Sequence, residues 1–436
     1  MNLFRRIKGT QDILPEDSIK WIVLENKIRV VMQKYNFSEL RTPIFEQTEL
    51  FARGIGQLTD IVAKEMYTFQ DRGKKQITLK PEMTAPIIRA YLENKLYAQS
   101  QLNKIYYIAP LFRQENPQAG RLRQFHQFGA ETLGSSAAEA DVEIIDLALA
   151  IYEAIGLKDL KLVINSVGDA EDRVRYKKIL QDFIKPYLKN YCPDCQRRFD
   201  ENPLRILDCK NETCSNLNKN APKIADHLLP ESKDHYEKLK NHLSALGIAF
   251  TENPYLVRGL DYYTRTVFEI TSDALGAQNA ICGGGRYDLL AEELGGQPTP
   301  AVGFASGIER LLMVAEKQNI NLSDSQRLNV FLVTMGEKAQ DESLAWLKKI
   351  RNTGLRAELD LLSRSVKAQM REANRQNAEF VLLLGENELH NKSFSVKLMD
   401  KGEQVDVPFN ELINFCLLYT SPSPRDRTRS RMPSSA

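Results

Sequence analysis

The sequence predicts an α+β fold carrying a helical insertion and a compact α/β domain toward its C-terminal end. Three observations lead there. Two strand-like runs, Lys104 to Arg113 and Arg121 to Leu133, surround the long turn NPQAG. Residues 171–250 change character, becoming charged and helical, with four of the six cysteines and three of the five histidines. From Asn329 onward, strands and helices alternate over about 90 residues, a normal domain size.

Taken in order, Ser18 to Lys34 places Ile19, Ile22, Leu24, Ile28, Val31 and Met32 at helical spacing, with Pro15 before it and Asp17 or Ser18 as the expected cap. After the strand pair, Ala137 to Ile155 reads as a helix stopped by Gly156, and Leu160 to Asn165 as a strand. Strand-like text returns at Val267 to Ile270 and Asn279 to Cys282, followed by three glycines, a helix near Leu289 and another from Gly307 to Lys317. The polar stretch Gln318 to Gln326 reads as a linker. Beyond it, Asn329 to Thr334, Ala357 to Asp360, Phe380 to Leu384 and Ser393 to Met399 read as strands, with helices at Lys338 to Asn352 and Ser365 to Asn377.

Composition narrows the functional classes. The 436 residues suggest about three domains at roughly 150 residues each. Apolar residues at 42% and charged residues at 27% suit a packed core. Lys and Arg total 59 against 57 Asp and Glu, so binding by bulk positive charge is excluded while a local nucleic-acid patch is not. No apolar run approaches the ~18–20 residues of a membrane helix, and the N-terminus lacks an apolar signal core. Six cysteines are too few for a secreted disulfide scaffold. A cytoplasmic protein with no membrane partner is the expectation.

The chemistry concentrates on Arg121 to Glu131. Period-2 alternation sends Arg121, Arg123, Phe125, Gln127, Gly129 and Glu131 to one face and His126 to the other. Two cations, an amide, a glycine gap and a carboxylate suit a small zwitterion beside an anion; a solvated sheet face is the alternative. His126, facing away, is expected to serve structure.

Phe112 to Glu131 reads FRQENPQAGRLRQFHQFGAE, which resembles motif 2 of class II aminoacyl-tRNA synthetases, and its QFHQ-G-E ending resembles the histidine-specific members. KGTQDILPED, TPIFEQTELFARGIGQLTDIVAKEMYTF, LKPEMTA, LVRGLDYYTRTVFEI, GGGRYD and AVGFASGIERL resemble the other signatures of that family, in order, over about residues 1–415. The resemblance implies a class II antiparallel sheet flanked by helices over residues 1–170 and 251–322, a helical insertion at 171–250, and an anticodon-binding domain at 327–415. It implies ATP-dependent activation of L-histidine to histidyl-adenylate, release of pyrophosphate, and transfer to tRNA(His). Motif 1 lies at a two-fold interface in this class, so a homodimer is expected.

The resemblance also assigns roles. Arg113 and Arg258 are the expected catalytic cations, on the α-phosphate and between that phosphate and the histidine carboxylate. Arg121 and Arg310 fall to ATP, where the bidentate guanidinium suits phosphate and Mg2+ accompanies pyrophosphate. Glu82, Thr84 and Gln127 fall to the histidine ammonium, Glu131 to an imidazole N–H, and Tyr262 and Tyr263 to closing the pocket; outside this motif the two tyrosines read as ordinary core aromatics. Met83 stands where many relatives have glycine, and a β-region backbone with Met83 packed inward is expected there. Gln118 and Arg123 lie in or beside a loop that approaches the tRNA acceptor stem in the family, or simply faces solvent. Arg364, Lys367 and Arg371, with Arg375 and with Gln369 nearby, form a basic helical stripe for tRNA or an ordinary solvated face.

Cys192-x2-Cys195-x13-Cys209-x4-Cys214 is a spacing that can close a structural Zn2+ site. Four free thiols is the alternative, and the resemblance offers no support for metal. Two other classes fit the same core: a non-catalytic regulator of histidine biosynthesis, which usually lacks the last domain and the RGLDYY arginine, and a sensor of uncharged tRNA. Both the domain and the arginine are kept here. Cys416 to Ala436 matches nothing before it; it reads as a disordered or non-native tail, and CLLYTSPSPRD resembles a reading frame of a sequencing adapter. Without residues 419–436, which hold four Arg and one Asp, the net charge falls from +2 to −1. RNA binding then rests on local patches.

Overall fold

The computed structural model describes residues 3–56, 59, 61–118, 120–276, 279–323 and 327–420, with Thr420 as backbone only. The chain divides into two compact units, Met1–Ser323 and Asp324–Ala436. Of the expected tail, residues 421–436 lie outside the described residues.

The first unit is organised by an eight-stranded sheet. Its order is Ser38–Glu39, Asn103–Phe112, Gln124–Leu133, Ala301–Gly307, Ala280–Arg286, Thr264–Ser272, Leu160–Ser166, Phe250–Glu252. The inner pairings are antiparallel, and only the two short edge strands run parallel to their neighbours. The sheet is therefore antiparallel through its inner strands, as the motif resemblance implied.

Alternation along each strand feeds two cores. On one face Tyr106, Phe128, Ala130, Phe268 and Phe304 pack with helices Pro15–Lys34, Ala138–Ile155 and Ile308–Lys317. On the other, Tyr107, Leu111 and Val267 pack with Ile87, Ile88 and Tyr91 of helix Thr84–Glu93, and with Tyr176, Leu180, Ile206 and Cys214. The expected insertion thus divides. Its helix Pro230–Ala245 sends Tyr236, Leu239 and Leu243 into the first core, while the segment before it closes the second. A network centred on three buried side chains joins these layers: Arg286 donates to Asp141 at 3.1 Å and to Ser135 O at 2.8 Å, and His235 Nε2 lies 2.7 Å from the other Asp141 oxygen.

Several boundaries differ from expectation. The first helix starts at Pro15, not Ser18, because proline supplies the first-turn φ and lacks the N–H that would go unpaired; no side chain caps it. Residues 121–123 are loop rather than strand, since Arg123 N turns away to donate to Gly9 O at 2.7 Å. The glycine triplet continues a strand, Ala280–Arg286. A three-stranded sheet, Phe45–Gln47, Gln76–Leu79 and Tyr67–Gln70, was not anticipated.

The second unit holds a five-stranded sheet ordered Ala357–Leu359, Val330–Thr334, Phe380–Leu384, Ser393–Leu398, Glu403–Pro408. The first three are parallel, the last two antiparallel. Its final helix, Leu412–Thr420, buries Cys416 in this core, so the unit extends past the expected end at 415.

Candidate active site

On the second face of the large sheet a cavity of about 200 Å3 opens between the strands and the Thr84 helix. Glu82, Thr84, Arg113, Gln127, Glu131, Arg258, Tyr262 and Tyr263 all line it. A wider groove of about 380 Å3 shares Arg113, Gln127 and Arg258 with it and adds Arg121 and Arg310.

The inner end is built around Glu131. Gly303 on the neighbouring strand makes room for it, since a Cβ there would sit 1.6 Å from Glu131 Oε2. Thr84 Oγ1 donates to Glu131 Oε1 at 3.0 Å, and the Tyr287 hydroxyl donates to Oε2. Burial dominates the site's charge. It pushes the Glu131 carboxyl up to about 8, against the opposing pull of the Tyr287 and Thr84 hydrogen bonds. Glu82, also buried, is shifted upward by the same cause, although its carboxylate accepts from Ala85 N at 3.0 Å and Thr84 N at 2.7 Å at the start of the helix. Tyr107, Tyr262, Tyr263 and Tyr287 are raised by burial and so stay neutral donors. The space opposite Gly129 is taken by Tyr107, whose hydroxyl would lie 2.4 Å from an added Cβ.

The outer end is cationic. Arg258 reaches it past Gly283, where a Cβ would lie 1.8 Å from its Nη2, and pairs with Glu269. The glycine triplet therefore clears side-chain space. Arg113 Nε donates to Pro81 O at 2.9 Å, and the guanidinium lies 5.2 Å from the Phe125 ring centroid. Arg121 meets Glu115 at 3.3 Å, and Arg310 Nε donates to Gly120 O at 3.3 Å. Planar cations are thereby aimed at one open groove, a geometry suited to phosphates.

Other residues fall elsewhere. His126 lies on the opposite face, with Nδ1 2.9 Å from Glu309 Oε1 and its ring edge-on to Trp21. Arg123 lines neither cavity; it packs beside Gly9 and Pro117 and donates to Glu115 O at 3.3 Å. Gln118 borders a separate cavity with Trp21 and Met313. Met83 is buried as expected, but its backbone is αR (φ −112°, ψ −20°) rather than β, because it forms the turn into the helix; no positive φ is required. Tyr107, Tyr287 and Glu269 were not singled out from sequence. Tyr287 sits inside GGGRYD, whereas Tyr107 is marked only by its pairing with Gly129, a register that the folded sheet fixes.

The Cys192, Cys195, Cys209 and Cys214 sulfurs all lie within 4.8 Å of one another, and the Cys192 and Cys209 sulfurs are 3.8 Å apart. A tetrahedral site with Zn–S bonds of about 2.3 Å requires sulfurs about 3.8 Å apart. The cluster fits the ion.

In the second unit, Lys367 and Arg371 are exposed on helix Val366–Arg375. Arg364 is tied to Asp360 at 2.6 Å. Gln369 is buried, bridging Thr334 O at 3.1 Å and Arg364 O at 2.8 Å, and so braces the helix rather than joining the stripe.

An antiparallel sheet carrying a polar cavity and an arginine-lined groove on one face is the core of a class II aminoacyl-tRNA synthetase. The family profile described as "Histidyl-tRNA synthetase" matches residues 9–174 and 198–311, and "Anticodon binding domain" matches residues 329–417. The chain belongs to the histidyl-tRNA synthetase family. It is 50% identical to the histidine–tRNA ligase of Desulforamulus reducens over 413 residues, 95% of this chain and 99% of the relative. Identity to the Halothermothrix orenii ligase is 49% over 406 residues, 93% of this chain and 97% of the relative. The apo S. aureus histidyl-tRNA synthetase structure superposes with TM-score 0.82 at 41% identity, covering 95% of this chain and 99% of that one.

Proposed function

We propose that the joined cavities carry out the family reaction, ATP-dependent activation of L-histidine followed by transfer to tRNA(His), with the histidine in the inner cavity and ATP in the groove. The observation that carries this reading is the division of one continuous site into a buried Glu131–Thr84–Tyr287 end and an arginine end. Glu131 accepts an imidazole N–H. Glu82, Thr84 and Gln127 hold the ammonium, and Tyr262 and Tyr263 wall the ring. A competing amino acid without ring nitrogens strands these buried polar groups, which is a strong basis for rejection.

The substrate carboxylate is itself the nucleophile, so no protein base is required. Two anions must meet at the α-phosphorus, and fixed cations offset their repulsion and the charge developing in the transition state. Arg113 and Arg258 stand where the two cavities meet and take that task. Arg121 and Arg310 hold the rest of the triphosphate, and Mg2+ would supply further positive charge to the leaving pyrophosphate. Gln118 and Arg123 approach the tRNA acceptor stem, and Lys367 and Arg371 the anticodon side, with Arg364 held to Asp360 at the start of their helix. The cysteine cluster holds structural Zn2+.

The protein works as a cytoplasmic homodimer. Ile44, Phe45 and Phe69 are exposed at or beside the three-stranded sheet of the motif 1 region and supply apolar surface for the partner. Among the described residues no helix is long and apolar enough to cross a membrane. Histidine-dependent ATP–pyrophosphate exchange, followed by charging of tRNA(His), tests the reading. Exchange is expected only with histidine; exchange independent of histidine, or none from folded protein, overturns it.

A further inference from the structure

Arg258 to Tyr263 is a loop with two neighbours. Gly56 and Ile55 border it on one side: Asp261 N donates to Ile55 O at 3.3 Å, and Gly56, at φ +98°, lies against the Asp261 side chain. On the other side it is gripped by three side chains of the segment that follows the strand Leu160–Ser166. Arg173 donates to Asp261 O at 3.0 Å and Tyr263 O at 2.8 Å, Asn202 Nδ2 to Asp261 Oδ1 at 2.7 Å, and Arg205 to Gly259 O at 2.6 Å. Two of these three, Asn202 and Arg205, belong to the stretch between Cys195 and Cys209.

That stretch has little local structure of its own. It consists of a nine-residue helix, Pro193–Glu201, and a four-residue helix, Leu204–Leu207, both far shorter than a helix that persists alone in water. Cys195 lies in the first turn of one, and Cys209 follows the other, with its N–H donating to Ile206 O at 3.1 Å. Cys192 N donates to Cys214 Sγ at 3.2 Å, drawing the third element, Glu212–Asn218, onto the same point. Four sulfurs from three short elements therefore converge at the two ends of the loop that presents Asn202 and Arg205.

We infer that zinc bound by these four cysteines acts as a positioning device for the substrate loop, fixing Asn202 and Arg205 so that Arg258, Tyr262 and Tyr263 stand ready in the cavity. The inference rests on the synthetase reading only for its kinetic readout. A closed four-thiolate site leaves no open coordination position, so the ion acts through the chain and not on substrate. Asn202 is a positioning residue: it touches the loop and lines neither substrate cavity.

The test uses the full-length protein. Metal analysis is expected to find about one zinc per chain, falling below about a tenth in the double variant Cys192→Ser, Cys209→Ser. Hydrogen exchange followed by mass spectrometry is expected to show faster exchange in residues 257–263 when zinc is stripped with a thiol-competing chelator, and recovery when zinc is restored. In exchange assays with Mg2+ kept saturating, the KM for histidine is expected to rise about tenfold with a smaller change in kcat. Asn202→Ala keeps its zinc and is expected to reproduce the faster local exchange and a KM rise of about fivefold. Protein purified without metal, and unaltered by added zinc, overturns both the site and the inference. Zinc present with unchanged exchange in 257–263 after stripping, or in Asn202→Ala, overturns the positioning role alone. If the loop responds but histidine-dependent activity is absent in zinc-loaded protein, the synthetase reading fails and the positioning role stands.

Discussion

Arg258 and Glu269 form an ion pair that links the loop entering the cavity to the strand Thr264–Ser272 behind it. The Arg258 guanidinium is largely withdrawn from solvent, and Glu269 is the charge that keeps it there in the right orientation. Arg258→Ala should lower kcat/KM for pyrophosphate exchange by about 10²- to 10³-fold, the cost of one preorganised donor facing transition-state charge. Glu269→Gln keeps the cation but loosens its aim, and should cost about tenfold. Circular dichroism should be unchanged in both. An Arg258→Ala enzyme within twofold of wild type would remove Arg258 from the reaction.

Gly283 gives a second test of the same geometry, one that leaves every polar group in place. A methyl group there would occupy the position of the Arg258 guanidinium. Gly283→Ala should therefore resemble Arg258→Ala in exchange assays, with activity reduced at least about tenfold, while the strand Ala280–Arg286 still forms, since its backbone suits alanine. Wild-type activity in this variant would show that Arg258 works from elsewhere.

The reason for that glycine was not legible in the sequence, and the contrast shows what was. Alternation along Gln124–Leu133 separated Gln127 and Glu131 from His126, because a strand's two faces follow from residue spacing alone. Arg123, immediately before that strand, broke the pattern, because its backbone leaves the sheet to bond Gly9, more than a hundred residues away in sequence. Likewise Tyr287, Glu269 and the Arg286–Asp141–His235 network depend on which strands and helices become neighbours, and that is decided by the packed sheet. Local periodicity carried the helices Pro15–Lys34 and Ala138–Ile155 and the C-terminal α/β pattern, but not the Thr84–Glu93 helix beside the cavity; register and glycine clearances were carried by nothing local.

Glu131 makes the site sensitive to pH. Its carboxyl is raised to about 8 in the fold from an ordinary value of 4.5, so the folded protein binds the proton more tightly than the unfolded chain does. Its contribution to stability is full below about 4.5 and is lost as the pH rises through about 8. Denaturant unfolding of ligand-free protein should therefore show stability declining between pH 5 and 8 by an amount on the order of a few kcal/mol. Glu131→Gln should flatten that decline while raising the KM for histidine at least about tenfold, because the amide has no proton to give up and cannot become the charged acceptor of the imidazole N–H. The KM for ATP should stay within about twofold. Equal pH slopes in the two proteins would mean that Glu131 is ionised in the empty site.

The basic stripe on Val366–Arg375 is smaller than its spacing suggested, and that sharpens its test. Arg364 is held by Asp360, and Arg375 is paired with Glu372, so those charges are already matched. Lys367 and Arg371 remain exposed on the helix. If they meet tRNA phosphates, each contributes one released counterion, and the double variant Lys367→Ala, Arg371→Ala should flatten the log–log salt dependence of tRNA binding by about 1.4 to 1.8. The KM for tRNA should rise about tenfold, and pyrophosphate exchange, which needs no tRNA, should be unchanged. Arg364→Ala should act differently. It unpairs the buried Asp360 carboxylate, so it should lower the thermal midpoint of the second unit more than it weakens tRNA binding. A double variant with an unaltered salt slope would leave the stripe a solvated helix face and move the tRNA contact elsewhere on the unit.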